Sequence, residues 1–552
     1  MLETLSRKAR QIKNDPVLRR WLIARSFGRT PPEPAYTSHR PPYLKEYALQ
    51  AETPSSDWPE LKSLAPTEPC DLPLPGFNLR ALPSAVGALF QAEFSDTETL
   101  LALHRFAWLP ILGEAVNPAW VGVLWRNWAE RFGTPDDSWA WHPYTAAERA
   151  INLLAFIEKH GAPEPRELTL KLLADHAPAI AKKLEYFGDH HTSNHLANNG
   201  RGLYILGATL GLPKARTMGG EILLNEAKRI FLPSGVLREG SSHYHLLLLR
   251  NYLSALRAAR KYNLPETAEF AQIVARLAGV MPHLLLPAGL PLIGDISPDI
   301  PPIFLLDQLR TASELDNVEA IDGELLRRDG WLRRDVGEWS GLWHASPEGF
   351  SHMPGHGHQD CGSFELHYAG RRLFIDPGRG SYGENGLSAL YRSGAVHNTL
   401  SVDDADPYPP NRPYYDSAFR LEISGPPPIL KRTEDGVRLA HHGFSRLSGV
   451  GETVRQWHFA GNSMIIEDRV EGKGRRQILR RLLTPFTAKE VGQAVEISGK
   501  GLKFLLRVEG LRPQIMAFSR WTAYGESAPA FAIEFVAHVR LPWHGSLIVE
   551  RL

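Results

Sequence analysis

Four residues in PGHGHQDCGSFELHYAGRRLFIDPGRGSYGENGLSALYRSGAVHNTL have types and spacing suited to one centre: His356, His358, Asp376 and His397. In an extended H-x-H segment both imidazoles point to one face, because strand side chains alternate with period two. One can bind a metal while the other stays beside it as acid or base. Zinc takes imidazole nitrogen and carboxylate oxygen in a four-coordinate shell, and three protein ligands leave one position open. Three of the four could hold one metal ion and leave the fourth free for chemistry. Asp376 stands just before Pro377-Gly378, where a strand should end in a turn. A hairpin centred on Gly370 sets Asp376 opposite Phe364, not His358, so a shared centre requires PGHGHQD to fold back.

Two earlier fragments carry further polar groups. TSNHLANNG puts Asn194, His195, Asn198 and Asn199 at the mouth of a predicted helix. The plain alternative is that Ser193 or Asn194 only caps that helix. EGSSHYH puts Tyr244 at another helix N-terminus, between His243 and His245. A tyrosine with its solution pKa of about 10 is a poor base at neutral pH. It needs positive charge or hydrogen bonds nearby, and His195, His243 and His245 are the candidates.

These groups must be positioned by two kinds of element. From about residue 80 to 320 the pattern is helical. Trp120, Leu124, Trp125, Trp128 and Phe132 form a stripe, and Thr145 with Glu148 reads as a capping box. EPRELTLKLLADHAPAIAKKLEYF and YHLLLLRNYLSALRAARKY are further long helices. After about residue 325 the period becomes two, in SFELHYAG, VRQWHFA, SMIIEDRVEG and FAIEFVAHVRL. Segregated helices and strands predict a multidomain α+β fold, not alternating βαβ units. Three parts are expected: 1–80, an N-terminal helix and proline-rich arm; 81–325, helical; 326–552, antiparallel sheet. Leu2, Leu5, Ala9 and Ile12 predict an amphipathic helix docked on the body, followed by the arm at 28–47.

Composition narrows the function classes. With 552 residues, 43% apolar and 22% charged, the chain is globular and too long for a single ordinary core. A net charge of +1 argues against a dedicated nucleic-acid binder. Cys70 and Cys361 lie far apart and form no CxxC pair, which excludes a disulfide framework and a thiolate zinc site. The longest apolar run, at 284–294, is too short to span a bilayer. WLIA is too short for a signal-peptide core, so the expectation is a cytoplasmic protein, with periplasmic or exported as the alternative.

Taken in order, TSNHLANNG, EGSSHYH and PGHGHQD…SFEL…DPG…YRSGAVHNTL resemble the heparinase II/III-type polysaccharide lyases, a group with heparin, heparosan and alginate lyases. WHPYTAAERAIN, PLIGDISPD and IIEDRVEG share in the resemblance, which spans about residues 80 to 500. It implies an N-terminal incomplete (α/α) toroid, a C-terminal antiparallel β-sandwich and a cleft between them. The implied reaction is β-elimination at a uronic acid of an anionic polysaccharide. On that resemblance Asn194, helped by His195, neutralises the uronate carboxylate, while Tyr244 and His356 share the roles of base and acid. His358, Asp376 and His397 hold an architectural zinc that fixes the loops presenting His356. Trp141, Tyr144 and Arg149 resemble a subsite wall, with ordinary helix packing as the alternative, and Tyr382 in RGSYGE resembles a second tyrosine of the alginate-cleaving branch.

A homodimer is compatible with the sequence. Two other readings compete. In a zinc hydrolase all four metal-type residues would serve water activation, but such H-x-H enzymes sit on (β/α) barrels, whose rhythm is absent here. In a non-catalytic glycan-binding protein of an exopolysaccharide pathway, the cleft would bind polymer but lack a catalytic group.

Overall fold

The computed structural model describes residues 9, 12–31, 40–46, 48–62, 64–351 and 353–552. Most of the helix expected on Leu2 and Leu5, and the middle of the proline-rich arm, lie outside these residues. The first described long helix, α1 (Pro16–Ser26), begins at a proline behind Asp15, whose carboxylate accepts from Leu18 N–H. It docks on the body: Trp21 packs against Tyr414, Tyr415 and Phe419, and Asp15 pairs with buried Arg446 at 3.0 Å.

The helical region is built from α2 (Thr97–Arg105), α3 (Pro118–Phe132), α4 (Pro143–His160), α5 (Arg166–Lys182), α6 (Asn194–Leu210), α7 (Pro213–Ile230), α8 (Ser242–Lys261) and α9 (Thr267–Ala278). The tryptophan stripe does face inward on α3, where Trp120, Leu124, Trp125 and Trp128 are buried. The expected capping box does not form. Pro143 starts α4 one turn earlier, Thr145 Oγ1 is buried without a partner, and Glu148 pairs with Arg201 at 2.7 Å. Helices α6 and α7 approach backbone to backbone. A Cβ on Gly219 would sit 2.3 Å from Tyr204 N, so only glycine permits this approach. That contact holds the helix whose first residue is Asn194.

The chain then turns to strands. A four-stranded antiparallel sheet runs β1 (Trp331–Val336), β2 (Trp339–His344), β3 (Phe364–Tyr368) and β4 (Arg371–Phe374). The β3–β4 turn uses Ala369 and Gly370, both at positive φ (48° and 72°), which matches the twist of a tight hairpin. Next to the turn the pairing is one residue off the expected register, Tyr368 with Arg371 and His367 with Arg372, and an irregularity between Leu366 and His367 brings Leu366 opposite Phe374 as expected.

A second sheet is assembled from β5 (Leu400–Val402), β6 (Ile429–Arg432), β7 (Gly436–His441), β8 (Val450–Ala460), β9 (Ser463–Thr484), β10 (Thr487–Val491), β11 (Ala494–Gly499), β12 (Leu502–Arg507), β13 (Gln514–Ala523) and β14 (Glu526–Arg551). Its order is β6-β7-β8-β9-β14-β12-β11-β10, with β5 on β9 and β13 on β14. The two sheets bury one core, in which Trp339, Trp343 and Phe364 meet Trp457, Phe459 and Ile466. Trp331 and Leu342 join the helical core instead, so the first sheet is also the joint between the halves. Among the described residues no helix is long and apolar enough to cross a membrane.

Candidate active site

On the helical side, α6 begins at Asn194. Neither Ser193 Oγ nor Asn194 Oδ1 caps the helix, and both atoms are buried without a partner. Capping would have used one of these oxygens on a free N–H, so the capping reading does not hold. Its backbone N–H reaches Glu239 Oε1 at 3.4 Å. His195 is partly open, with Nδ1 on Glu185 Oε1 at 2.6 Å and its ring 4.7 Å from that of Tyr144. Asn199 anchors Glu185, donating to Oε2 at 2.9 Å and accepting from Glu185 N–H at 3.0 Å. Burial works against the charge of both partners, yet their mutual attraction raises the His195 pKa and lowers that of Glu185 to about 2.

Tyr244 enters from the first turn of α8, where Ser241 Oγ accepts from Tyr244 N–H at 3.0 Å. Its phenol oxygen lies 2.6 Å from that of Tyr382, and the His356 ring stands 5.9 Å from Tyr244 and 5.4 Å from Tyr382. A residue from the helical half thus meets two from the strand half. Burial pushes the Tyr244 and Tyr382 hydroxyls well above the ordinary phenol range, so both carry their protons. The expected help from His243 and His245 is absent. Burial lowers them to about 3 and about 4, leaving both neutral. His243 Nδ1 accepts from Ser297 N–H, and His245 bridges Leu237 N–H to Leu277 carbonyl oxygen. Of the three, only His195 is held toward the charged form.

The groups converge on Asp295, which the sequence reading did not assign although it lies in PLIGDISPD. Oδ2 accepts from His356 Nδ1 at 2.8 Å, Oδ1 from His358 Nε2 at 2.7 Å, and Arg379 Nη1 contacts both oxygens at 3.0 and 3.2 Å. Burial opposes ionisation of Asp295, but Arg379 and the two histidines hold its pKa well below the usual carboxylate range. An ionised carboxylate only accepts. His356 therefore carries its proton on Nδ1, leaving Nε2 free; His358 carries its proton on Nε2, leaving Nδ1 bare. PGHGHQD is a turn and coil, not a strand, yet it folds back so that both imidazoles reach one acid.

His358 Nδ1 and Asp360 Oδ2 are buried without partners. Donor atoms of His358, Asp360 and His397 lie within 4.8 Å of one another. The grouping differs from the expected His358, Asp376 and His397. Hairpin register keeps Asp376 beyond His397, where Oδ2 meets His397 Nδ1 at 2.9 Å and Ser363 Oγ at 2.7 Å. Burial opposes charge on His397, but Asp376 and Asp360 outweigh it and raise its pKa to about 9. The bare His358 nitrogen and the unpartnered Asp360 oxygen suit a divalent cation, with Asp295 fixing the His358 tautomer; His397, whose Nε2 lies 3.1 Å from the Tyr391 carbonyl oxygen, would join them only by giving up a proton and that contact. Cys361 is buried and its thiol is pushed up by burial and by Asp360, which keeps it protonated and a poor ligand.

Trp141 and Arg149 do not form a subsite wall. They are 1% and 0% exposed, with the Arg149 guanidinium over Trp128 and Trp141 and bonded to His176 Nε2 at 3.0 Å. Inward-facing aromatic and arginine positions on α4 and in the turn before it are indistinguishable from cleft positions by spacing alone. Tyr144 does sit at the site. Its hydroxyl donates to Asp299 Oδ2, and Asp299 pairs with Arg105 at 3.0 Å.

The family pattern described as Heparinase II/III N-terminus matches residues 90–296, and Heparinase II/III-like, C-terminal, matches 322–521. This chain belongs to the heparinase II/III family. A structure of heparinase III superposes with a TM-score of 0.65 at 16% identity, covering 84% of this chain and 79% of that one. A mutant heparan sulfate lyase from Pedobacter heparinus gives 0.55 at 17%, covering 84% and 78%. No curated protein matches by sequence. For this heparinase II/III family chain, the His195–Glu185 pair gives a direct test. The pair holds His195 above its ordinary value of 6.5, so its contribution to stability is complete below that value and is lost as pH rises through the folded value. Imidazole NMR should find the His195 pKa above 6.5 in the native protein and lower in Glu185→Gln. An unchanged value in the variant would remove Glu185 from the account.

Proposed function

We propose that this polysaccharide lyase cuts a uronate-containing polymer by β-elimination, in a cleft between an incomplete (α/α) toroid at about 81–325 and a β-sandwich at about 326–552. The observation that carries the reading is the meeting of Tyr244 with His356 and Tyr382 across the two halves.

The proton on C5 of a uronate is not acidic while the neighbouring carboxylate keeps its charge. The Asn194 amide donates to that carboxylate, and His195, held toward its charged form by Glu185, adds to its neutralisation, so the enolate-like charge of the transition state is stabilised. His356 is the base. Asp295 holds its proton on Nδ1, and Nε2 has the lone pair that takes the C5 proton. Electrons of the C5–H bond become the C4=C5 double bond, and the C4–O4 bond breaks. Tyr244 is the acid, since burial keeps its phenol protonated, and its proton goes to the leaving O4. The Tyr382 oxygen lies 2.6 Å from that of Tyr244, and its hydroxyl, turned from the Ile296 carbonyl it meets at 3.0 Å, would steady the phenolate that forms. The product is a 4,5-unsaturated uronate. Zinc at His358, His397 and the nearby carboxylates would be architectural, fixing the loop that presents His356.

Incubation with alginate, heparosan, heparin, hyaluronan and chondroitin sulfate should yield, with at least one, the ultraviolet absorbance of the conjugated double bond. Tyr244→Phe and His356→Ala should each lower kcat by about 10²–10⁴-fold. Absence of product from every polymer, or full turnover in Tyr244→Phe, would overturn the reading. For the metal, elemental analysis should find one zinc per chain, lost in His358→Ala. Chelation should lower Tm before it lowers turnover of the still-folded enzyme. Immediate loss of turnover with Tm unchanged would make the metal catalytic.

A further inference from the structure

On the second sheet, where β9 and β14 bend at the register shift between Val470 and Gly474, lies a cavity of about 840 Å³ that shares no residue with the site above. Its floor contains Arg480, a side chain 2% exposed with no hydrogen bond or ion pair among the described residues. Nη1 is buried without a partner. Asp468 is the acid that acts on it, but both Asp468 oxygens are taken by Arg455, at 2.8 and 3.3 Å; Glu509 also lines the cavity and makes no ion pair with Arg480. Arg507, the other arginine of the cavity, is paired with Glu550 at 3.1 Å. An uncompensated buried guanidinium is costly, and proteins seldom retain one without an anion to meet it. Burial lowers the Arg480 pKa and Asp468 offsets part of that, while the guanidinium keeps its charge.

Above this cation stands an aromatic platform. The Trp543 indole lies 5.3 Å from the Arg480 guanidinium and is half-exposed to the cavity. It extends over Gly545, where an added Cβ would come within 2.3 Å of the ring. His544 and Ser546, on the same strand, also line the cavity. The combination is selective. An aromatic face suits the C–H face of a pyranose, and a guanidinium suits a carboxylate through paired N–H donors. The volume also discriminates, since cavities of about 300–1,000 Å³ hold whole organic ligands, and an inorganic ion would fill little of it.

We propose that this cavity is an accessory saccharide site, in which Trp543 stacks a sugar ring and Arg480 binds its carboxylate. It is separate from the catalytic groups and does not depend on the lyase chemistry, since binding is read without turnover.

The test is a titration of the intact protein with sodium glucuronate, glucose and sodium acetate, read by tryptophan fluorescence and by saturation-transfer NMR. Glucuronate should give a saturable change that vanishes in Trp543→Phe and weakens about tenfold or more in Arg480→Gln, the loss of one charge-assisted contact. Glucose and acetate should bind far more weakly than glucuronate. Turnover of a soluble oligosaccharide should stay unchanged in Trp543→Phe, which separates this site from the cleft. The proposal fails if Trp543→Phe, verified as folded by circular dichroism, binds glucuronate as the native protein does. It also fails if acetate matches glucuronate, which would make the site a simple anion hole, or if no titrant binds.

Discussion

Asp295 is the constraint on which the site depends. One buried carboxylate binds the two imidazoles of the H-x-H loop and the Arg379 guanidinium, and its backbone carbonyl accepts from Ser241, the cap of the helix that carries Tyr244. Its segment also bridges to Arg379 through Ile296 N–H. The acid thus ties the helical half to the strand half at the point where their functional groups meet. Removing it would leave a buried guanidinium unpaired and two imidazoles free to change tautomer, an effect larger than the loss of any single contact.

The same acid sorts the protons. Because Asp295 is ionised, His356 and His358 expose opposite nitrogens, the first on a ring that stands among the tyrosines and the second beside Asp360 and His397. Two chemically alike residues, two positions apart, acquire different tasks from the oxygen each one meets. Glu185 acts similarly on His195 in the helical half, and Asp376 on His397. In these last two pairs the carboxylate holds the imidazole toward its charged form, whereas burial alone would have favoured the neutral ring.

Much of this was legible in the chain. The change of period near residue 325 separates helices from strands, and the alternation through Phe364, Leu366 and Tyr368 with the Ala369-Gly370 turn marks a hairpin that the structure keeps, while the one-residue shift between Leu366 and His367 left no mark in the pattern. Asn194, His195, Tyr244 and His356 are visible as polar residues at helix mouths and in a glycine-rich loop. Asp295 was not, because it sits in coil, where no period marks an inward side chain. Asp360 was passed over for Asp376, since spacing cannot say how a loop folds back. Trp141 and Arg149 were misplaced for the converse reason: on an inward helix face, a core arginine stacked on indoles has the same pattern as a cleft arginine.

The central claim is that Asn194, Tyr244 and His356 act together on one acidic sugar ring. A crystal structure of Tyr244→Phe with a bound uronate oligosaccharide tests it most directly. The account predicts the uronate carboxylate within hydrogen-bond reach of the Asn194 amide, with C5 facing His356 Nε2 and O4 facing the place where the Tyr244 hydroxyl stood. A ring bound elsewhere, or one whose carboxylate turns away from Asn194, would contradict it.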